Sequence, residues 1–143
     1  MVENKIVLPL DIFMVPIKGK LEYLTLNPWI TVNRGSRGSS IGNKHKKNIQ
    51  ARIRHYVEQA MVDGVKMHPP VVFKYAWYFR DNRIDVDNWS FTQKFILDAF
   101  QESTVKGDAF LARDSPKYVR GNHHDFIAVD ADNPRVEITW SEL

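Results

Sequence analysis

Asp85 and Asp87 stand two residues apart in the run Asp85-Val86-Asp87-Asn88. In an extended segment, side chains two apart point to the same side with backbones about 7 Å apart, so both carboxylates could converge on one divalent cation. Two like charges held this close are unfavourable without a cation. Hard oxygen donors suit Mg2+ or Mn2+, which keep several waters and accept phosphate oxygens. The same spacing also serves a turn, a helix cap or an exposed loop, and by itself does not choose among them. His123, His124 and Asp125 form a second conceivable cluster, but adjacent histidines on a strand point to opposite faces and do not readily share one ion. The chain has no cysteine, which excludes disulfides, thiolate metal sites and cysteine nucleophiles. It has no Walker loop, dinucleotide fingerprint or Gly-x-Ser-x-Gly elbow, so neither a nucleotide cofactor nor serine chemistry is expected.

Charge is distributed unevenly around these acids. Residues 1–84 hold 14 Lys/Arg against 6 Asp/Glu, whereas residues 85–143 hold 6 against 11, leaving net charges of +8 and −5. No acidic residue lies between Glu22 and Glu58, while Arg34, Arg37, Lys44, Lys46, Lys47, Arg52 and Arg54 all do. Such a stretch suits a polyanion, and its alternative is a solvated basic surface without a partner. A basic segment beside an acidic one is what phosphodiester cleavage needs, with cations for the backbone and carboxylates for metal.

The elements that must position these residues follow from periodicity. At 143 residues with 43% hydrophobic content, the chain predicts one compact domain with a real core. Residues 5–16 (KIVLPLDIFMVP) and 21–32 (LEYLTLNPWITV) read as early extended segments interrupted by proline. Residues 33–42 (NRGSRGSSIG) have the composition of a flexible basic loop. From 43 to 62, Ile49, Ile53, Tyr56, Val57, Ala60 and Met61 recur at helical spacing, with Asn43 as N-cap and Gly64 as stop. On that helix Lys47, Arg52 and Arg54 lie roughly 100–120° from the apolar stripe and point outward. Residues 70–80 (PVVFKYAWYFR) predict a half-buried strand leading toward Asp85. Residues 87–102 predict a second helix with Asp87 as N-cap, in which Lys94 and Asp98 fall within about 20° of Asp87. Residues 135–140 (RVEITW) alternate as a strand after the loop 130–134. The fold expected is α/β, a small single domain with a mixed sheet and two main helices packed on it. No run of about 18 apolar residues and no basic start with a long apolar stretch is present, so a soluble, cytoplasmic protein is expected, without a membrane partner.

The run from Arg83 to Phe100 (RIDVDNWSFTQKFILDAF) closely resembles the signature of the RusA family of Holliday junction resolvases. In that family an Asp-x-Asp-Asn at a strand end opens a helix carrying a lysine and then an Ile/Leu-Leu-Asp-Ala-Leu-like run. The matching residues are Asp85, Asp87, Asn88, Lys94 and the run from Ile96 to Phe100. In the commonest form the lysine comes three residues earlier, where this chain has Phe91; the longer spacing is that of phage-type members. The family's further acidic motif, two adjacent aspartates, is matched by residues 112–119 (ARDSPKYV), with Asp114 second and Arg113 in place of the first. The likeness is weaker over the loop and first helix and covers roughly residues 24–120.

The resemblance implies an endonuclease of DNA recombination and repair that binds branched DNA as a homodimer and nicks two opposed strands of a four-way junction. It implies Mg2+ or Mn2+ held by Asp85, Asp87 and Asp114, with Asp108 as the alternative third ligand. Lys94 would stabilise charge developing on the phosphate, the alternative being an i,i+4 ion pair with Asp98. Arg34, Arg37, Lys44, Lys46, Lys47, Arg52 and Lys117 are the expected DNA contacts. Two other readings stay open: a related nuclease preferring flaps or forks, and a junction-binding protein without turnover, for which the missing acid at Arg113 and the shifted lysine speak.

Overall fold

The computed structural model describes residues 4–34 and 38–143 as a single mixed α/β domain. Its centre is a four-stranded sheet ordered β1 (Lys5–Pro9), β8 (Arg135–Glu142), β4 (Val71–Phe79), β7 (Val119–Val129). β8 runs antiparallel to both β1 and β4, whereas β4 and β7 are parallel. The alternation read in residues 70–80 is the burial pattern of β4: Val71, Phe73, Tyr75, Trp77 and Phe79 are buried, and Lys74 is exposed. The opposite face carries an ionic network in which Glu137 takes Lys5 and Arg135, each at 2.7 Å. Arg135 also pairs with Asp130 at 2.8 Å and lies 3.9 Å above the Tyr78 ring.

Two long helices cover the buried face. Helix α2 (Gly38–Val62) buries Ile49, Ile53 and Val57 at four-residue spacing. Gly64, at φ 100°, follows it, and the Val65 N–H returns to the Ala60 carbonyl. Helix α4 (Gln93–Glu102) buries Phe95, Ile96, Leu97, Ala99 and Phe100. Asp98 clamps the two helices together, accepting from Lys46 at 3.0 Å and from Gln50 at 3.4 Å.

Several segments depart from the sequence reading. Residues 5–16 are not one extended segment: a 3-10 turn (Leu10–Phe13) separates β1 from β2 (Met14–Ile17). Of residues 21–32 only the start is extended, in β3 (Lys20–Tyr23), which pairs with β2; the rest is helix α1 (Leu26–Val32). Pro28 sits in the first turn of α1, where its missing N–H costs nothing. The Asn27 N–H that α1 leaves unpaired there is taken by the Asn88 side chain at 2.9 Å, a partner 61 residues away. Of the loop expected over 33–42, residues 38–42 already belong to α2, and residues 35–37 lie outside the described residues. Within α2, position 42 is a glycine for a reason of space: a Cβ there would collide with the Asn33 side-chain amide, which closes the end of α1. Finally, β7 and the small hairpin of β5 (Thr104–Val105) and β6 (Asp108–Ala109) add strands that the periodicity did not indicate.

Candidate functional site

Where β4 ends, the chain turns through residues 80–84, and the Asp81 carboxylate accepts the Arg83 N–H at 2.9 Å. Asp85 is the last extended residue (φ −88°, ψ 119°) and caps the short helix α3 (Val86–Ser90), accepting the Asp87 N–H at 2.9 Å. The cap is therefore Asp85, not Asp87, and the two carboxylates do not share one extended segment: Asp87 is already in the first helical turn. The helix expected over 87–102 is interrupted at Phe91 and Thr92, where the Thr92 N–H bonds three residues back to Trp89. Both aspartates are exposed, and among the described residues no cation pairs with either.

Two packing devices hold this turn in place. Asn88 ties it to α1, donating to Thr25 Oγ1 at 2.9 Å while accepting from the Asn27 N–H. Trp89, 2% exposed, fills the space beneath. Its ring contacts Phe13, Tyr23, Trp77 and Phe79 at centroid distances of 5.7, 4.9, 5.4 and 5.8 Å. His124 on β7 secures the adjoining start of α4. Trp77 Nε1 can only donate, so His124 Nδ1 accepts from it at 3.0 Å, and Nε2 carries the proton toward Gln93 Oε1 at 2.7 Å. Burial is the main reason the His124 pKa falls to about 4; the nearby His123 lowers it further, whereas Asp125 opposes the fall. The imidazole is thus neutral at physiological pH, fixed as a connector rather than poised as a ligand.

A cleft of about 620 Å³ opens beside Asp85, lined among others by Glu22, Tyr23, Arg80, Arg83 and Asn88. Arg80 and Arg83 bring positive charge to the same mouth as the carboxylate. Neither they nor Glu22 were among the sequence candidates, although two arginines within the five residues before Asp85 are a visible signal.

The third expected acid is elsewhere. Val119, which opens β7, pairs with Val71, which opens β4, and the turn from Ser115 leads into it. Asp114 therefore lies at the starting end of β4 and Asp85 beyond its finishing end, separated by most of the strand's length, roughly 26 Å at ~3.3 Å per residue. Asp108, on β6, follows α4 back toward that same starting end. Among the described residues no three His, Cys, Asp or Glu side chains gather closely enough to hold a metal ion. One chain thus brings together Asp85 and Asp87 but not Asp114.

The cations also sort themselves. Lys94 is exposed at the second position of α4, its Nζ 6.0 Å from the Phe91 ring centroid. It does not pair with Asp98, which Lys46 occupies. Arg52 donates to the Ile12 and Met14 carbonyls at 3.0 and 2.8 Å, tying α2 to the 3-10 turn and β2. Arg34, Lys44, Lys47 and Lys117 are exposed and make no ion pair among the described residues. Arg37 lies outside the described residues. No helix among the described residues is long and apolar enough to cross a membrane. Compared with known proteins, the chain matches no protein-family model and no curated sequence.

Proposed function

We propose that the protein is a Mg2+- or Mn2+-dependent endonuclease of branched DNA, four-way junctions foremost, acting as a two-fold dimer. The observation that carries this reading is the pair of exposed, uncompensated carboxylates, Asp85 and Asp87, held in a packed turn beside a cleft edged by Arg80 and Arg83. The donor set fits a hard cation, because Mg2+ needs only one or two carboxylates when waters and a substrate phosphate complete its shell. Such an ion, when bound, supplies an activated water and neutralises charge on the leaving oxygen. Asp85 and Asp87 would hold it; Arg80 and Arg83 would orient the backbone phosphate; Lys94 would reach charge developing on it. One site cuts one strand, so paired incisions across a two-fold junction call for a two-fold protein. A dimer also answers the placement of Asp114, which can join Asp85 and Asp87 only from a second protomer.

The decisive assay incubates purified protein with an end-labelled four-way junction, with and without Mg2+ or Mn2+, and maps incisions. Metal-dependent nicks at symmetric positions are expected. Binding without incision would favour the second reading, a junction-binding protein, whose support is Arg113 in place of an acid.

Two substitutions probe separate parts of this reading. Lys94→Met should slow single-turnover cleavage about a hundredfold or more and leave junction affinity within a few-fold, since one cation adds little to ground-state binding. With Asp98 already paired to Lys46, stability should change by no more than ~0.5 kcal/mol. Wild-type cleavage by this variant would remove Lys94 from the chemistry. Neutralising Arg34, Lys44 and Lys47 together should lower the slope of log affinity against log salt by about 2 to 3, close to 0.9 per phosphate contact. An unchanged slope would mean that DNA lies on another face.

A further inference from the structure

The two edges of the sheet differ in kind. β1 is five residues long, starts with Lys5 and ends in Pro9, features that discourage strand addition. β7 is eleven residues long, contains no proline or lysine, and pairs with no strand but β4 among the described residues. Three of its last four residues are large and exposed: Phe126 at 43%, Ile127 at 49% and Val129 at 48%. Its register against β4 skips a residue near each end, at Arg120 and Ile127, leaving residues 121–126 regular between the two irregularities.

We propose that β7 is where two copies of this chain join, pairing antiparallel about a two-fold axis through His124, so that His123 of each copy faces the partner's Asp125. In that register Gly121 lies opposite the partner's Ile127, and the absent side chain leaves room for the exposed isoleucine. An imidazole N–H meets a carboxylate twice by symmetry, while parallel in-register pairing would set Asp125 against itself. The two imidazoles at the axis, each neutral and held between Trp77 and Gln93, place no like charges in contact. The same arrangement lays the Asp114 end of one β7 beside the finishing end of its partner's sheet, where Asp85 and Asp87 lie. Only that last point rests on the proposed nuclease reading; the complementarity of the edge stands apart from it.

The test is oligomeric state by sedimentation equilibrium over a wide range of protein concentration. The wild-type chain should be dimeric. Asp125→Lys sets a lysine opposite His123 twice and should raise the dissociation constant about tenfold or more. Adding His123→Glu sets a carboxylate opposite each lysine, so the double variant should regain the wild-type constant. Circular dichroism melting of each variant separates lost pairing from lost folding, because both positions are exposed and their melting should be little changed. A monomeric wild-type chain, a single variant that dimerises normally, or a folded double variant no better than the single one would each overturn the proposal. None of these readouts uses cleavage, so dimerisation through β7 without incision would reject the nuclease reading alone. Junction cleavage by a dimer insensitive to Asp125→Lys would reject the interface alone.

Discussion

Asp87→Asn should lower the proposed metal-dependent incision of a four-way junction about a thousandfold or more while junction binding is kept or strengthened. On the proposed reading the substitution would remove one anionic oxygen ligand, and with it several kcal/mol of charge stabilisation around the scissile phosphate. It would also remove a negative charge that repels a DNA backbone, so binding should not fall with activity. Asp85→Asn should behave alike, and asparagine is the informative replacement at this position. Asp85 caps α3 through the Asp87 N–H, and an asparagine oxygen caps equally well, so the turn persists and the loss reports on charge. Asp85→Ala would confound the two by removing about 1 kcal/mol of capping as well. Incision rates under single-turnover conditions, with affinities measured in Ca2+, check both variants. Near-normal cutting by either asparagine variant would end the assignment of these carboxylates.

Trp89→Ala should cost about 3–5 kcal/mol of stability and lower the melting temperature by roughly 10–20 °C. The side chain is 2% exposed and is enclosed by Phe13, Tyr23, Trp77 and Phe79, which come from the 3-10 turn, β3 and β4. Elements this far apart in sequence cannot readily collapse into the space an indole leaves. The vacated volume also lies directly under the carboxylate turn, so incision should fall even at temperatures where the variant remains folded. Trp89→Phe, which keeps an aromatic ring in the pocket, should recover part of both losses. Denaturant midpoints and single-turnover rates provide the check. A stability loss under about 1 kcal/mol for the alanine variant would mean that the cluster repacks and does not hold the turn.

What could be read from the sequence was what local patterning determines. The Ile49, Ile53, Val57 stripe of α2 and the alternation of β4 and β8 depend on which face meets the core, and that period is written residue by residue. Helix α1 was not legible, because Leu26 to Val32 is β-branched, aromatic and interrupted by Pro28, and a distant side chain, Asn88, satisfies its first turn. β7 was hidden by its polar middle, whose Asn122 and His124 bond to Tyr75 and Trp77 rather than packing as hydrophobes. Missing β7 had a consequence for the site. A parallel strand reached through a helix must start at the same end as its neighbour, so an acid just before it lies away from the turn that follows that neighbour. Arg52 and Lys46 show the same limit for charge: in sequence they match Lys47, yet both are committed to internal partners.

The order of strands also bears on how the protein is made. β8 lies between β1 and β4 and is the last of the sheet strands to be synthesised. During translation β1 must wait for its neighbour until residues 135–142 leave the ribosome, which at typical speeds of about 5–20 residues per second is on the order of ten seconds. Through that interval β1 exposes the backbone donors and acceptors that β8 later takes, and β4, once made, does the same along its β8 side. Nascent chains of this fold are therefore open to misassociation with one another until residues 135–142 emerge, and a chain cut before residue 135 should aggregate rather than form a smaller domain.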